Sequence, residues 1–241
     1  MDSSAKGRRK DNRTMKLKSP LMLALDVDSR EQAEKIVTEV EDFVGAVKLG
    51  PRLVYRYGDE FVRKIALRAP VFIDCKFFDI PSTMVASVRA AFEAGASFAT
   101  VHALAGPQAL SQLAKLEEEL NEIRPFKILC VTILTSWDEA QFSANFAKKS
   151  IVDHVSILAD QVLQSGLRGI VCSPHELQAL RGKGLYLVTP GVRFEMQKDD
   201  DQKRVMTPAE AMAEGASAFV VGRPVLAAVD RAKAAKEYSL L

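Results

Sequence analysis

From residue 21 onward the chain alternates short apolar runs with longer stretches in which apolar residues recur every three or four positions. The runs are LMLALD (21–26), GAVKLG (45–50), VFIDCK (71–76), FATVHA (98–103), KILCVTIL (127–134), RGIVCS (168–173), LYLVTP (185–190) and AFVVGR (218–223). Their length, together with the turn residues that bound them, predicts strands. Between them, SREQAEKIVTEVEDF (29–43) and PSTMVASVRAAFEAG (81–95) carry helical spacing. Pro81 stands where a helix starts and Gly95 where one stops. Gly166 and Gly215 punctuate the stretches before the sixth and eighth runs in the same way.

Strands without polar alternation, separated by helices, imply a parallel sheet covered on both faces. Eight strand–helix units in about 220 residues predict an α/β fold of one domain, a closed (β/α)8 TIM barrel. An open doubly wound sheet is the alternative. No shift of composition and no Pro/Gly/Ser linker divides residues 21–241, so they form one catalytic domain. The long polar stretch RFEMQKDDDQKR (193–204) reads as a surface loop after the seventh strand.

Charge changes the picture at one end only. The net charge of +2 over 241 residues hides an asymmetry. Residues 1–20 hold seven Lys/Arg and two Asp, which leaves 26 basic and 29 acidic residues for the remainder. The folded part is therefore mildly acidic. The basic arm lacks the interleaved aromatics of a nucleic-acid binder and is expected to be a disordered leader or an expression remnant, with Met15 as an alternative start. No signal peptide and no apolar run of about 20 residues is present, so no membrane role is expected. Cys75, Cys130 and Cys172 are odd in number and sit in apolar runs. Three buried free thiols in a reducing, cytoplasmic setting fit them best.

The strand ends carry the chemistry. They hold Asp26, Lys48, Asp74 with Lys76, His102, Thr132 with Thr135, Ser173, Thr189 and Arg223. In a parallel barrel these ends share one face, the face on which active sites are built. Asp74 and Lys76 are two apart and should point the same way, with Lys48 on the neighbouring strand. A Lys–Asp–Lys row results, in which each ion is compensated by its neighbour. A purely structural salt-bridge network is the competing reading. Asp79 lies past the strand end, where the chain turns into Pro81. VVGRP (220–224) and TPGVR (189–193) each bring a glycine turn and an arginine to the ends of the last two strands, a place where this fold binds phosphate. Ordinary turns with solvated arginines would look the same. His102 reads as a hydrogen-bonded core histidine before it reads as a base. His154 and His175 read as surface residues. No His/Cys spacing suggests a metal site, and no dinucleotide, P-loop or serine-hydrolase motif follows a strand.

DCKFFDIPST (74–83) resembles the D-x-K-x-x-D-I-P-x-T signature of the orotidine 5′-phosphate decarboxylases. ALD (24–26), VKLG (47–50), VTILTS (131–136), TPGVR, DQKR (201–204) and VVGRP follow in that family's order, over residues 21 to about 230. Ser82 and Phe78 depart from its usual residues, at positions without catalytic charge.

The resemblance implies cofactor-free decarboxylation of orotidine 5′-phosphate to uridine 5′-phosphate and CO2, the last step of de novo pyrimidine nucleotide synthesis. It implies a charged array of Lys48, Asp74, Lys76 and Asp79, with Lys76 protonating C6. Asp26 and Lys48 would bind the ribose hydroxyls. Ile80 would line an apolar pocket near the leaving carboxylate. Thr135 and Ser136 would meet the pyrimidine edge, and Arg193, Gln202, Gly222 and Arg223 would hold the 5′-phosphate. Asp79 and Thr83 would serve the other subunit of a homodimer. Related barrel enzymes acting on sugar phosphates share D-x-K-x-x-D but use Mg2+. A non-catalytic phosphate binder and a nucleic-acid-binding arm are more distant alternatives.

Overall fold

The structure is a computed structural model that describes residues 15–137, 142, 149–194 and 206–240. Its eight strands are β1 (Leu21–Ala24), β2 (Ala46–Leu49), β3 (Val71–Phe77), β4 (Ala96–His102), β5 (Lys127–Val131), β6 (Gly169–Val171), β7 (Tyr186–Pro190) and β8 (Ala218–Val221). Every neighbouring pair is parallel, and β1 also pairs with β8, so the sheet closes into a barrel in sequence order. All eight predicted runs are strands. The open-sheet alternative is excluded by the β1–β8 pairing.

Between the strands run α1 (Arg30–Val40), α2 (Pro51–Ala66), α3 (Pro81–Glu93), α4 (Gly106–Ile123), α5 (Ile151–Ser165), α6 (Leu177–Leu180) and α7 (Pro208–Ala213). α8 (Arg223–Leu226) and α9 (Arg231–Ser239) follow β8. Local sequence sets their ends. Ser29 Oγ accepts from the Gln32 amide at the start of α1, and Ser150 with Asp153 forms a reciprocal capping box on α5. Gly166 ends α5 with φ 102°, a conformation that disfavours any residue with a Cβ.

Two apolar layers result from strand alternation. Residues such as Leu21, Leu23, Val47, Leu49, Ile73 and Val101 face outward and pack under the helices. Met22, Ala46, Phe72, Phe98, Leu129, Val188 and Ala218 face inward and fill the lower barrel. The same inward positions, continued toward the strand ends, carry Lys48, Asp74 and Thr100. The apolar plug therefore becomes the floor of a polar mouth.

The described residues include Met15–Pro20, within the stretch expected to be a leader. Met15 and Leu17 pack against the inner core from below. Ser19 is buried, and the Pro20 carbonyl accepts from Phe219 N–H at 3.0 Å. A Cβ on Gly45 would lie 1.9 Å from Ser19 O, so the second run needs its glycine to let this segment pass. The apolar residues of Met15–Pro20 explain this placement, because they close the open bottom of the barrel. Residues 1–14 lie outside the described ones.

Candidate active site

A cavity of about 650 Å³ opens at the C-terminal ends of the strands. Its wall combines Asp26, Lys48, Asp74 and Lys76 on one side with Arg193 and Arg223 on the other. Phe72, Val131, Val171 and Val220 form the floor.

Asp74 is the centre of the charged side. Its side chain is 13 % exposed and accepts from Lys48 Nζ at 3.2 Å and Lys76 Nζ at 2.9 Å. Lys48 also faces Asp26 at 3.9 Å, a looser contact because Asp26 is largely solvated. Burial pushes the Asp74 carboxyl upward, but the Lys48 and Lys76 ammonium groups outweigh it and hold the carboxyl below its ordinary value. Asp74 is therefore a carboxylate at neutral pH, fixed between two cations.

The strand does not reach Lys76 by regular alternation. Ile73 pairs with Ala99 and Phe77 with Val101, so β3 carries two more residues than β4 across this stretch. Lys76 takes up the irregularity with φ 48°, the one non-glycine positive φ among the described residues. Such a backbone costs roughly 1–3 kcal/mol and persists only where the surroundings enforce it. Thr100 on β4 does so. Its Oγ accepts from the Lys76 backbone N–H at 2.8 Å and donates to Asp74 Oδ1 at 3.1 Å. Thr100 is fully buried and was not singled out from the sequence. Its signal was a lone hydroxyl in the apolar run FATVHA, two residues before His102.

The neighbouring titratable groups are less suited to chemistry. Burial, with Asp74 second, raises the Cys75 thiol to about 11, so it is not a thiolate nucleophile at neutral pH. Burial and then Lys76 lower His102, which is neutral at pH 7. Its Nδ1 accepts from the Leu104 amide at 3.3 Å and its ring lies 5.4 Å from that of Phe78, outside the cavity. His175 is exposed and His154 half-buried beside Phe142. Cys130 and Cys172 are buried, and all three thiols are free. Among the described residues no group of three or more His, Cys, Asp or Glu side chains could hold a metal ion, and no helix is long and apolar enough to cross a membrane.

The opposite wall gathers the ends of β7 and β8. Arg193 is buried, with its backbone N–H donating to Met206 O at 3.1 Å. A Val192–Met206 bridge joins the two described ends of the polar stretch after β7. Gly222 precedes α8, which is one turn long, and Arg223 begins it.

A profile described as the orotidine 5′-phosphate decarboxylase / HUMPS family matches residues 19–238. The chain belongs to this family. It is 38 % identical over 226 residues to an orotidine 5′-phosphate decarboxylase of Rhodospirillum rubrum, covering 90 % of this chain and 92 % of that one. The enzyme of the same name from Afipia carboxidovorans is 42 % identical over 219 residues, with 89 % and 91 % covered. Among solved structures, an orotidine 5′-phosphate decarboxylase from Lactobacillus acidophilus superposes with a TM-score of 0.78 at 31 % identity, over 91 % of this chain and 97 % of that one.

The residues tied to the orotidine 5′-phosphate decarboxylase motifs fall into three groups. Asp26, Lys48, Asp74, Lys76, Thr135, Arg193, Gly222 and Arg223 line the cavity, drawn from six strand ends spread over about 200 positions. Asp79, Ile80, Thr83 and Ser136 are exposed and do not line it. Ile80 stands at the N-cap of α3 and is 64 % exposed, in a turn where its N–H donates to Asp79 Oδ1 at 2.6 Å. Gln202 lies outside the described residues. Arg52, at the start of α2, lines the cavity and pairs with Asp28 at 3.1 Å. It was not anticipated, since nothing distinguishes it in sequence from a solvated helix-surface arginine.

Proposed function

We infer that this chain converts orotidine 5′-phosphate to uridine 5′-phosphate and CO2, the last step of de novo pyrimidine nucleotide synthesis. The observation that carries the reading is the row Lys48–Asp74–Lys76 at the barrel mouth, with contacts of 3.2 and 2.9 Å. The names of the relatives agree with it.

Breaking the C6–carboxylate bond leaves an electron pair in the plane of the pyrimidine, where no π system can delocalise it. A cation already in place lowers the energy of that anion without reorganising at the moment of reaction. Lys76 is the cation. CO2 departs, the electron pair stays on C6, and a proton passes from Lys76 Nζ to C6. Water then restores the ammonium. Asp74 aims Lys76 through their 2.9 Å ion pair, while its own charge disfavours the substrate carboxylate that is about to leave. Lys48 balances Asp74 and, with Asp26, faces the ribose hydroxyls. Thr135 faces the pyrimidine edge from the cavity wall, with Ser136 beside it outside that wall.

Far from the reacting carbon, Arg193 and Arg223 hold the 5′-phosphate with the Gly222 backbone; Gln202, assigned to the same phosphate by the family motif, lies outside the described residues. Charge on the two arginines carries this end, because a one-turn helix offers little dipole. Binding energy gathered there organises the reacting end.

The working form is a homodimer. Phe78 and Ile80 are 61 % and 64 % exposed beside Asp79 and Thr83, an apolar surface with acid and hydroxyl at its edge. Covering it with a second copy would bring Asp79, Thr83 and Ile80 to the other protomer's mouth. Three free thiols suit a reducing cytoplasm.

Adding orotidine 5′-phosphate to the purified chain should bleach the orotate absorbance with uridine 5′-phosphate as product, and EDTA should leave the rate unchanged. A rate abolished by EDTA, or turnover of a sugar phosphate in its place, would favour the Mg2+-dependent barrel chemistry that shares D-x-K-x-x-D.

A further inference from the structure

Tyr238, in the last turn of α9, is the one aromatic residue of that helix and is buried. Its ring lies 4.5 Å from that of Phe194 and 6.3 Å from that of Phe219 on β8. Phe194 directly follows Arg193, the buried arginine on the cavity wall. It is itself nearly half exposed, so its contact with Tyr238 does more to fix its place than burial does. The Arg193 backbone N–H donates to Met206 O at 3.1 Å. α9 is anchored independently. Asp230 caps it, and Arg231 donates to Glu39 on α1 at 2.9 Å and to the Leu226 carbonyl at 2.9 Å.

We propose that Tyr238 is a positioning residue for phosphate recognition: its ring, next to Phe219 of β8, holds Phe194 in place, and through the chain it holds Arg193 in register with the 5′-phosphate. The Phe194 backbone also hydrogen-bonds the Tyr238 hydroxyl, which adds a polar tie to the ring contact. Rotating an arginine by one residue's worth of slack moves its guanidinium by more than a hydrogen bond tolerates. Tight anion recognition therefore needs the residue after Arg193 held as firmly as the residue before it. Tyr238 does not itself line the cavity and acts through Phe194 and Arg193. The proposal rests on the assignment of Arg193 to the phosphate.

The test compares the parent, Tyr238→Ala, Tyr238→Phe, Arg193→Ala and the Tyr238→Ala/Arg193→Ala pair. Two quantities are read for each: kcat and KM for orotidine 5′-phosphate, and Kd for uridine 5′-phosphate by calorimetry. Tyr238→Ala should raise KM and Kd about tenfold or more, while Tyr238→Phe, which keeps the ring, stays within about threefold. In the Arg193→Ala background the Tyr238→Ala penalty should largely disappear, because the group it positions is gone. An equal penalty in both backgrounds would overturn the proposal. So would a folded Tyr238→Ala chain with unchanged Kd, or a Phe variant as impaired as the Ala one. If Tyr238→Ala does not fold, Phe194→Ala removes the same contact from the loop side and should raise Kd alike. An unchanged Kd there is equally contrary. A parent chain that binds uridine 5′-phosphate without turning over the substrate would refute the activity, and the Kd comparison would still decide the role of Tyr238.

Discussion

Asp74 is an acid that its neighbours keep ionised. Desolvation alone would raise its carboxyl, yet Lys48 and Lys76 bring it below the ordinary value. A carboxyl whose folded value is depressed adds stability that is fully present above the unfolded value of about 3.9 and disappears as pH falls through the folded one. The stability difference between the parent and Asp74→Asn, measured by urea unfolding at a series of pH values, should therefore be constant from about pH 5 upward and shrink below about pH 4. A difference that widens on acidification would contradict the assignment. The residue pair DxK was legible in the sequence because a charge in an apolar run demands a partner. The pair's geometry was not, since simple alternation placed both side chains on one face, whereas the strand bulges and Lys76 adopts a positive φ.

Strands β3 and β4 work as one element. The bulge in β3 is tied to β4 by Thr100, whose single hydroxyl serves both the Asp74 carboxylate and the Lys76 amide. Thr100→Val keeps the shape and removes both bonds. It should lower stability by about 1–3 kcal/mol, read from the unfolding midpoint, and lower kcat by more than it raises KM. Unchanged kcat would mean that the bulge holds itself. The element boundaries explain what the sequence made visible: eight apolar runs became eight strands, because a doubly covered parallel strand leaves an unbroken hydrophobic signature. Residues 15–20 escaped that signature. Leu17 and Ser19 are too few and too flanked by lysines to look structural, yet they seal the barrel floor. Thr100 escaped for the opposite reason, as one polar atom inside a run that otherwise announces only a strand.

At the scale of the molecule, the barrel collects side chains from strand ends far apart in sequence and leaves Asp79, Ile80 and Thr83 on an outer surface. The array proposed above then spans two protomers. Mixing Lys76→Ala with Asp79→Ala chains should restore one intact composite site in each heterodimer, so an equimolar mixture of two nearly inactive proteins regains about a quarter of parental activity. No recovery after subunit exchange, verified by mass, would place Asp79 outside the shared site. The central claim is narrower than the dimer: an ammonium group fixed by Asp74 stabilises and then protonates the C6 anion. Single-turnover decarboxylation by Lys76→Ala tests it most directly, alongside its affinity for uridine 5′-phosphate. The rate should fall at least about 10⁴-fold with nucleotide affinity kept within about tenfold; a rate within tenfold of the parent would contradict it.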